Sequence, residues 1–148
     1  MSTTSEISSG GIATFSIKIN GNAIPETLNV LSVHVEKKVN RIPTAKIVIL
    51  DGETYTGQFE ASSSSTFLPG ATISIEAGYD SKNELIFKGI ITSQSLRIDS
   101  LIGSALEVEC RDAAVKMIVG RKSVTYSNKK DSDIISSIIG NYSALESD

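Results

Sequence analysis

From Ala45 to Cys110 apolar and polar residues alternate through one run after another: AKIVILD, ATISIEAGY, ELIFKGIITSQSLRI and ALEVEC. Turns rich in Gly, Ser and Asp separate these runs. A strand presents its faces with period two, so Ile73, Ile75 and Ala77 share one face and Thr72, Ser74 and Glu76 the other. Upstream, Phe15, Ile17 and Ile19 alternate with Ser16, Lys18 and Asn20, which predicts a first strand ending in an Asn20-Gly21-Asn22 turn. Leu31, Val33 and Val35 alternate with Ser32, His34 and Glu36 in a second strand. Lys37 to Thr44 carries Asn40 and Pro43 and reads as a turn. In the strand that follows, Ile47 and Ile49 face one side and Val48 and Leu50 the other, so both faces are expected to be partly covered. Strands at this spacing predict a mainly β fold, a small antiparallel β-barrel with one or two short α-helices outside it.

Two stretches break the pattern. Asp51 to Gly70 is the longest irregular segment and contains the four serines Ser62 to Ser65. Tyr55, Phe59, Phe67 and Leu68 are expected to pin it to the barrel. Asp80-Ser81-Lys82-Asn83 then closes a hairpin, and Asp99-Ser100 with Gly103-Ser104 marks the next turn. Past Cys110 the period lengthens: Asp112 caps a short predicted helix carrying Ala113, Ala114, Val115, Met117 and Ile118, with Gly120 at its exit. Val124 to Tyr126 reads as a brief extended piece. Asp131 or Ser132 caps a second helix, in which Ile134, Ile135, Ile138 and Ile139 form one apolar stripe. The chain thus divides into a polar, mobile leader at 1–11, a barrel at 12–127 and a C-terminal helical segment at 128–148. The isoleucine stripe is expected to dock partly on the barrel and otherwise on a neighbouring chain or a downstream domain.

Composition narrows the function classes. The 148 residues are 40% hydrophobic but only 5% aromatic, without Trp, so the core must rest on Ile, Val and Leu. The net charge of −3 comes with no basic block, which argues against a nucleic-acid partner. One cysteine, Cys110, excludes an intramolecular disulfide and reads as a small buried apolar residue. The polar start lacks the basic and apolar regions of a signal peptide, and no apolar run reaches the roughly 20 residues that span a bilayer. The expectation is a soluble, cytoplasmic protein whose export would need other machinery.

Candidate chemistry is sparse. His34 stands between Ser32 and Glu36 on one strand face, but side chains two apart lie roughly 7 Å from each other, too far for a working triad. Glu107 and Glu109 share a face and read as a solvated edge rather than a catalytic pair. Asp131-x-Asp133 opens like a calcium loop without the glycine and distal glutamate that complete one. Asn141-Tyr142-Ser143 is a glycosylation triplet without a secretory context. There is no G-x-G-x-x-G, phosphate-binding loop or CxxC. The expectation is a protein that is not an enzyme, with no catalytic, cofactor-binding or metal-binding residues.

Three segments carry a family resemblance: FSIKINGNAIPETLNVLSVHVEKKVNRIPTAKIVILDG, FLPGATISIEAGYDSKNELIFKGIITSQSLRI, and LEVECRDAAVKMIVGRKSVTY followed by KDSDIISSIIGNY. Asn-Arg-Ile-Pro before a strand ending in Asp-Gly, then Leu-Pro-Gly, Phe-Lys-Gly-Ile and Asp-Ser-Asp-Ile-Ile, occur in this order. Between Ile12 and Tyr142 the chain resembles the N-terminal part of Vgr (Rhs-element Vgr) proteins, the spikes of type VI secretion and related contractile injection systems. Their structural kin are the baseplate hubs of contractile phage tails. The resemblance implies a hub barrel that works by adhesion and needs no cofactor. It implies other copies of the chain as partners, in a trimeric spike seated on a hexameric tube protein, with effector cargo left open. It also implies assembly in the cytoplasm, export on contraction, and no insertion into membranes by this segment. A whole spike continues into a second barrel, an oligosaccharide-binding-like domain and a β-helical needle, and the chain is expected to lead into such a downstream domain.

The residues expected at protein interfaces are Ser16, Lys18, Ser32, His34 and Glu36, which share an outward surface if the first two strands pair as a hairpin, together with Ile134, Ile135, Ile138 and Ile139. The rival class is a free-standing β-barrel binding module for oligosaccharide or peptide. Its usual exposed row of aromatic or basic side chains is missing from the outer strand faces.

Overall fold

The alternating segments become strands in a computed structural model that describes residues 12–52, 59–80, 82–99 and 103–142. They are β1 (Ala13–Ile19), β2 (Asn22–Ala23), β3 (Asn29–Glu36), β4 (Thr44–Leu50), β5 (Thr72–Tyr79), β6 (Lys82–Asp99) and β7 (Gly103–Asp112). All pair antiparallel in a single sheet of order β2-β1-β5-β6-β7-β4-β3. The helical elements are short: α1 (Glu60–Ser63), a 3-10 helix (Ala113–Ile118) and α2 (Asp131–Ile139). The fold is mainly β, as the alternation predicts.

Register builds the core directly. Ile17 faces Ile75, Ile75 faces Phe87, Ile91 faces Cys110, and Val108 faces Ile47, so one side of the sheet is a continuous aliphatic layer. These seven residues are buried, together with Ile19, Ile49, Ile73 and Leu106. Burying each such side chain stabilises the fold by about 1.5–3 kcal/mol. The sheet curls until β1 and β3 line one groove of about 410 Å³, with Phe15, Val30, Leu31 and Val33 at its mouth. The result is a barrel left open at a seam between those two strands.

The anticipated hairpin between the first two long strands does not form. β1 pairs along its whole length with β5, from Ala13 opposite Tyr79 to Ile19 opposite Ile73. After the turn at Asn20 and Gly21 (φ 51° and 83°) only the two residues of β2 return along β1. Pro25 follows almost at once, with no N–H to extend a ladder. β3 instead pairs with β4, and a register shift between Val30 and Ser32 turns Val30 inward and leaves Leu31 44% exposed. Phe15 lies on the core side of β1, yet at the open seam it is half exposed.

The irregular segment is held by a carboxylate rather than by aromatics alone. Asp51, which is 4% exposed, accepts hydrogen bonds from the backbone N–H groups of Ala61 (2.9 Å) and Ser62 (2.7 Å). It thereby serves the first turn of α1, whose cap residue Phe59 offers no side-chain acceptor. Gly52 has φ +100°, and a Cβ there would stand 2.6 Å from the Phe59 ring. Phe67 is fully buried while Leu68 is exposed; Tyr55 lies outside the described residues. So does the leader at 1–11.

Asp112 caps as expected: its Oδ1 accepts from the Ala114 N–H at 2.9 Å, although the turn it starts is 3-10. In α2 the expected cap moves. Lys130 occupies the cap position without a side-chain bond, and Asp131 and Asp133 lie inside the first turn, where their charge favours the helix dipole. The piece at Val124–Tyr126 is not a strand.

Candidate protein interface

The outward rows are set by pairing, and the topology splits the predicted surface in two. Ser16 and Lys18 stand on β1 opposite Glu76 and Ser74 of β5, with Lys18 Nζ 2.7 Å from Glu76 Oε1. Ser32, His34 and Glu36 stand on β3 opposite Val48, Lys46 and Thr44, with β5, β6, β7 and β4 between the two rows in the sheet. The five residues therefore do not share one hairpin surface. Ser32, His34 and Glu36 are exposed, and Glu36 is bound by Lys38 at 2.5 Å, which holds its carboxyl below the usual range. That pairing takes the carboxylate of the triad-like trio, so His34 has Lys46 across the strand rather than an orienting acid.

Between the rows, β7 contributes a second polar stripe. Lys46 Nζ donates to Glu107 Oε2 at 2.7 Å and Arg97 lies 3.7 Å from Glu107 Oε1. The Lys46 hydrogen bond pulls the Glu107 carboxyl below its ordinary range against some desolvation. Ser93 Oγ donates to Glu109 Oε2 at 3.1 Å. The two glutamates thus bind cross-strand partners. Among the described residues no group of three or more His, Cys, Asp and Glu is placed to hold a metal ion. Cys110 is buried, and its desolvation, with Glu109 nearby, pushes the thiol up to about 12.

The isoleucine stripe is only half covered. Ile134, Ile138 and Ile139 are partly buried and Ile135 is 55% exposed. Ile138 lines a cavity with Met117, Val124 and Tyr126, and Lys122 Nζ lies 4.8 Å from the Tyr142 ring centroid.

One feature had no signal in the linear sequence. A cleft of about 340 Å³ opens between the outer face of β1, β5 and β6 and the 3-10 helix, with Lys18, Lys88 and Lys116 on its lining. These lysines lie far apart in the chain and meet only because β1 pairs with β5 and β5 with β6.

Among the described residues no helix is long and apolar enough to cross a membrane. A search of curated proteins finds no match. Among solved structures, the crystal structure of the 43 kDa tail protein of prophage MuSo2 from Shewanella oneidensis is similar, with a TM-score of 0.58 at 10% identity. The match covers 88% of this chain and 38% of the tail protein, so the chain spans a little over a third of that protein's length. At this identity the likeness shows the fold alone, which is similar to that of the matched part of this tail protein. A family model described as the Alg8 N-terminal domain matches residues 9–148. The chain belongs to the Alg8 N-terminal domain family.

Proposed function

We propose that this chain is a hub module of a contractile injection apparatus, of the Vgr spike kind, that assembles with other copies of itself at the tip of a hexameric tube. The observation that carries this reading is the phage-tail-protein fold, which covers 88% of the chain. The order of strand and turn motifs from Ile12 to Tyr142 supports the finer, Vgr-like assignment. The outward rows are consistent with a role in contact: they are hydroxyls and ion-paired charges on sheet positions, a surface suited to adhesion between rigid bodies. In this reading the chain performs no catalysis, and its partners are proteins.

The test is reconstitution. The chain, co-expressed with the tube protein of its own gene neighbourhood, should co-sediment with tubes and appear at one end of each in negative-stain images. Bare tube ends, with the chain left in the supernatant at saturating concentration, would overturn the proposal.

A further inference from the structure

Where the chain turns from β3 into β4, two guanidiniums are brought together and left without an anion. Asn40, at φ 60°, bends the chain so that the Arg41 N–H donates to the Lys38 carbonyl at 3.2 Å. The Pro43 carbonyl accepts from the Asp112 N–H at 3.0 Å, and Thr44 stands opposite Arg111. Arg41 and Arg111, distant in the chain, therefore line one open cavity of about 580 Å³ with Glu36, Lys38, Val39 and Thr44. Three cations face one carboxylate there, and Lys38 takes that carboxylate. Among the described residues neither Arg41 nor Arg111 has a salt bridge of its own. Glu109 shares the outer face of β7 with Arg111 but accepts from Ser93, while Asp112 lies on the other face and caps the 3-10 helix. Lys37 adds a further cation to the turn, so the local excess stays positive with Glu109 included. Val39, beside Arg41, is an exposed large apolar residue.

We propose that this cavity docks an acidic segment of a partner protein, two carboxylates of which pair with Arg41 and Arg111 while an apolar side chain between them covers Val39. A guanidinium holds a carboxylate through two parallel N–H···O bonds, and arginine is enriched where proteins meet. Size selects the class of partner. A cavity of this volume is about as wide as the Debye length of roughly 8–10 Å, so a short acidic segment meets only the local positive field. A nucleic acid or an anionic membrane would also meet the surrounding chain, whose net charge is −3. The inference goes beyond the hub reading, because it concerns the chemistry of a partner segment in any assembly that supplies one.

An NMR titration of the isotope-labelled full chain with the peptide Glu-Glu-Val-Glu-Glu, at about 0.05 M salt, tests it. Amide shifts should centre on Val39, Arg41, Thr44 and Arg111, and the same peptide with glutamine for glutamate should leave them in place. Arg41→Gln with Arg111→Gln should weaken binding by roughly tenfold or more. Lys82→Gln with Lys88→Gln removes equal charge elsewhere and should leave the affinity within about twofold. Arg41→Lys with Arg111→Lys should restore only part of the loss, because an ammonium keeps the charge but not the fork. If the arginine variants melt early, the footprint on the wild type decides by itself. No shift at peptide concentrations up to about 5 mM, or shifts scattered over the surface, would overturn the proposal. Equal loss in the two glutamine variants, or full affinity in the lysine variant, would do the same. So would a short DNA duplex or phosphatidylserine vesicles that bind through the same arginines more tightly than the peptide.

Discussion

Asp51→Ala should cost more stability than truncating a typical surface carboxylate, because its oxygens serve two backbone donors away from water. The carboxylate sits 2.9 Å from the Ala61 nitrogen and 2.7 Å from that of Ser62, and the residue is 4% exposed. A hydrogen bond to a charged group contributes about 1.5–3 kcal/mol, and a buried donor left without an acceptor costs about 1–3 kcal/mol. Losing both bonds in place would therefore cost about 3–5 kcal/mol. The chain has an escape: α1 can swing away so that water takes the two N–H groups. That route uncovers Phe67 and Ala61, both fully buried, and the phenylalanine alone forfeits about 1.5–3 kcal/mol. The cheaper route sets the observed value, so the expected loss is about 3 kcal/mol, or a melting temperature lower by about 6–12 °C. Asp51→Asn should fare little better, since the amide group turns a donor toward one of the two N–H groups. Urea unfolding gives the free energy, and amide exchange at Ala61 and Ser62 tells which route is taken. A loss below about 0.5 kcal/mol, with both amides still protected, would refute the reasoning.

Three further outcomes follow from the same geometry. Gly89→Ala should cost at least about 2 kcal/mol in urea unfolding, because a Cβ there collides with the Arg111 carbonyl oxygen and crowds the Phe87 ring; a near-neutral result would mean β6 and β7 are not this close. The Cys110 thiol, pushed up by burial from its ordinary 9.0 to about 12, should resist alkylation at pH 8 until urea unfolds the chain. Between those two values the unfolded chain loses a proton that the folded chain keeps, so stability is full below about pH 9 and falls as pH rises toward 12, by an amount that Cys110→Ala should abolish. Glu107→Gln should cost about 0.5–1 kcal/mol, discounted because the paired Lys46 side chain is 43% exposed, and less in 1 M salt. With its folded value depressed, the contribution of Glu107 is present above about pH 4.5 and is lost as pH falls through that lowered value; a wild-type acid limb in the variant would count against the pairing.

The strands were legible because period-two alternation is a local property. Ile73, Ile75, Ile47 and Ile49 occupy the core their spacing assigns them, and Asp112 caps the turn it precedes. Partner choice was not legible. Nothing near Phe15 indicates that β1 lies beside β5 rather than β3, since that register depends on packing with residues some sixty positions away. Leu31 follows the alternation and is still turned outward, because one extra residue in β3 resets the faces. The same long-range pairing divided the expected surface of Ser16, Lys18, Ser32, His34 and Glu36 and created the lysine cleft. Interfaces made by strand order are invisible until the order is known.

The short motifs behind the family resemblance act as backbone locks. Asn40 takes φ 60° so that the chain can turn, and the Pro43 carbonyl then accepts from the Asp112 N–H at 3.0 Å, tying the start of β4 to the end of β7. Asp51 and Gly52 fasten α1, as described. In Leu68-Pro69-Gly70 the Gly70 N–H reaches the Ile91 carbonyl at 2.8 Å, while the Ile91 N–H reaches Ala71 at 2.9 Å, which extends β6 onto the incoming loop. Phe87 fills the core, and two residues on Gly89 admits the Arg111 carbonyl. Each lock joins segments distant in sequence, and none places a nucleophile, base or ligand set. Such motifs specify a shape and leave the outer rows free to suit a partner.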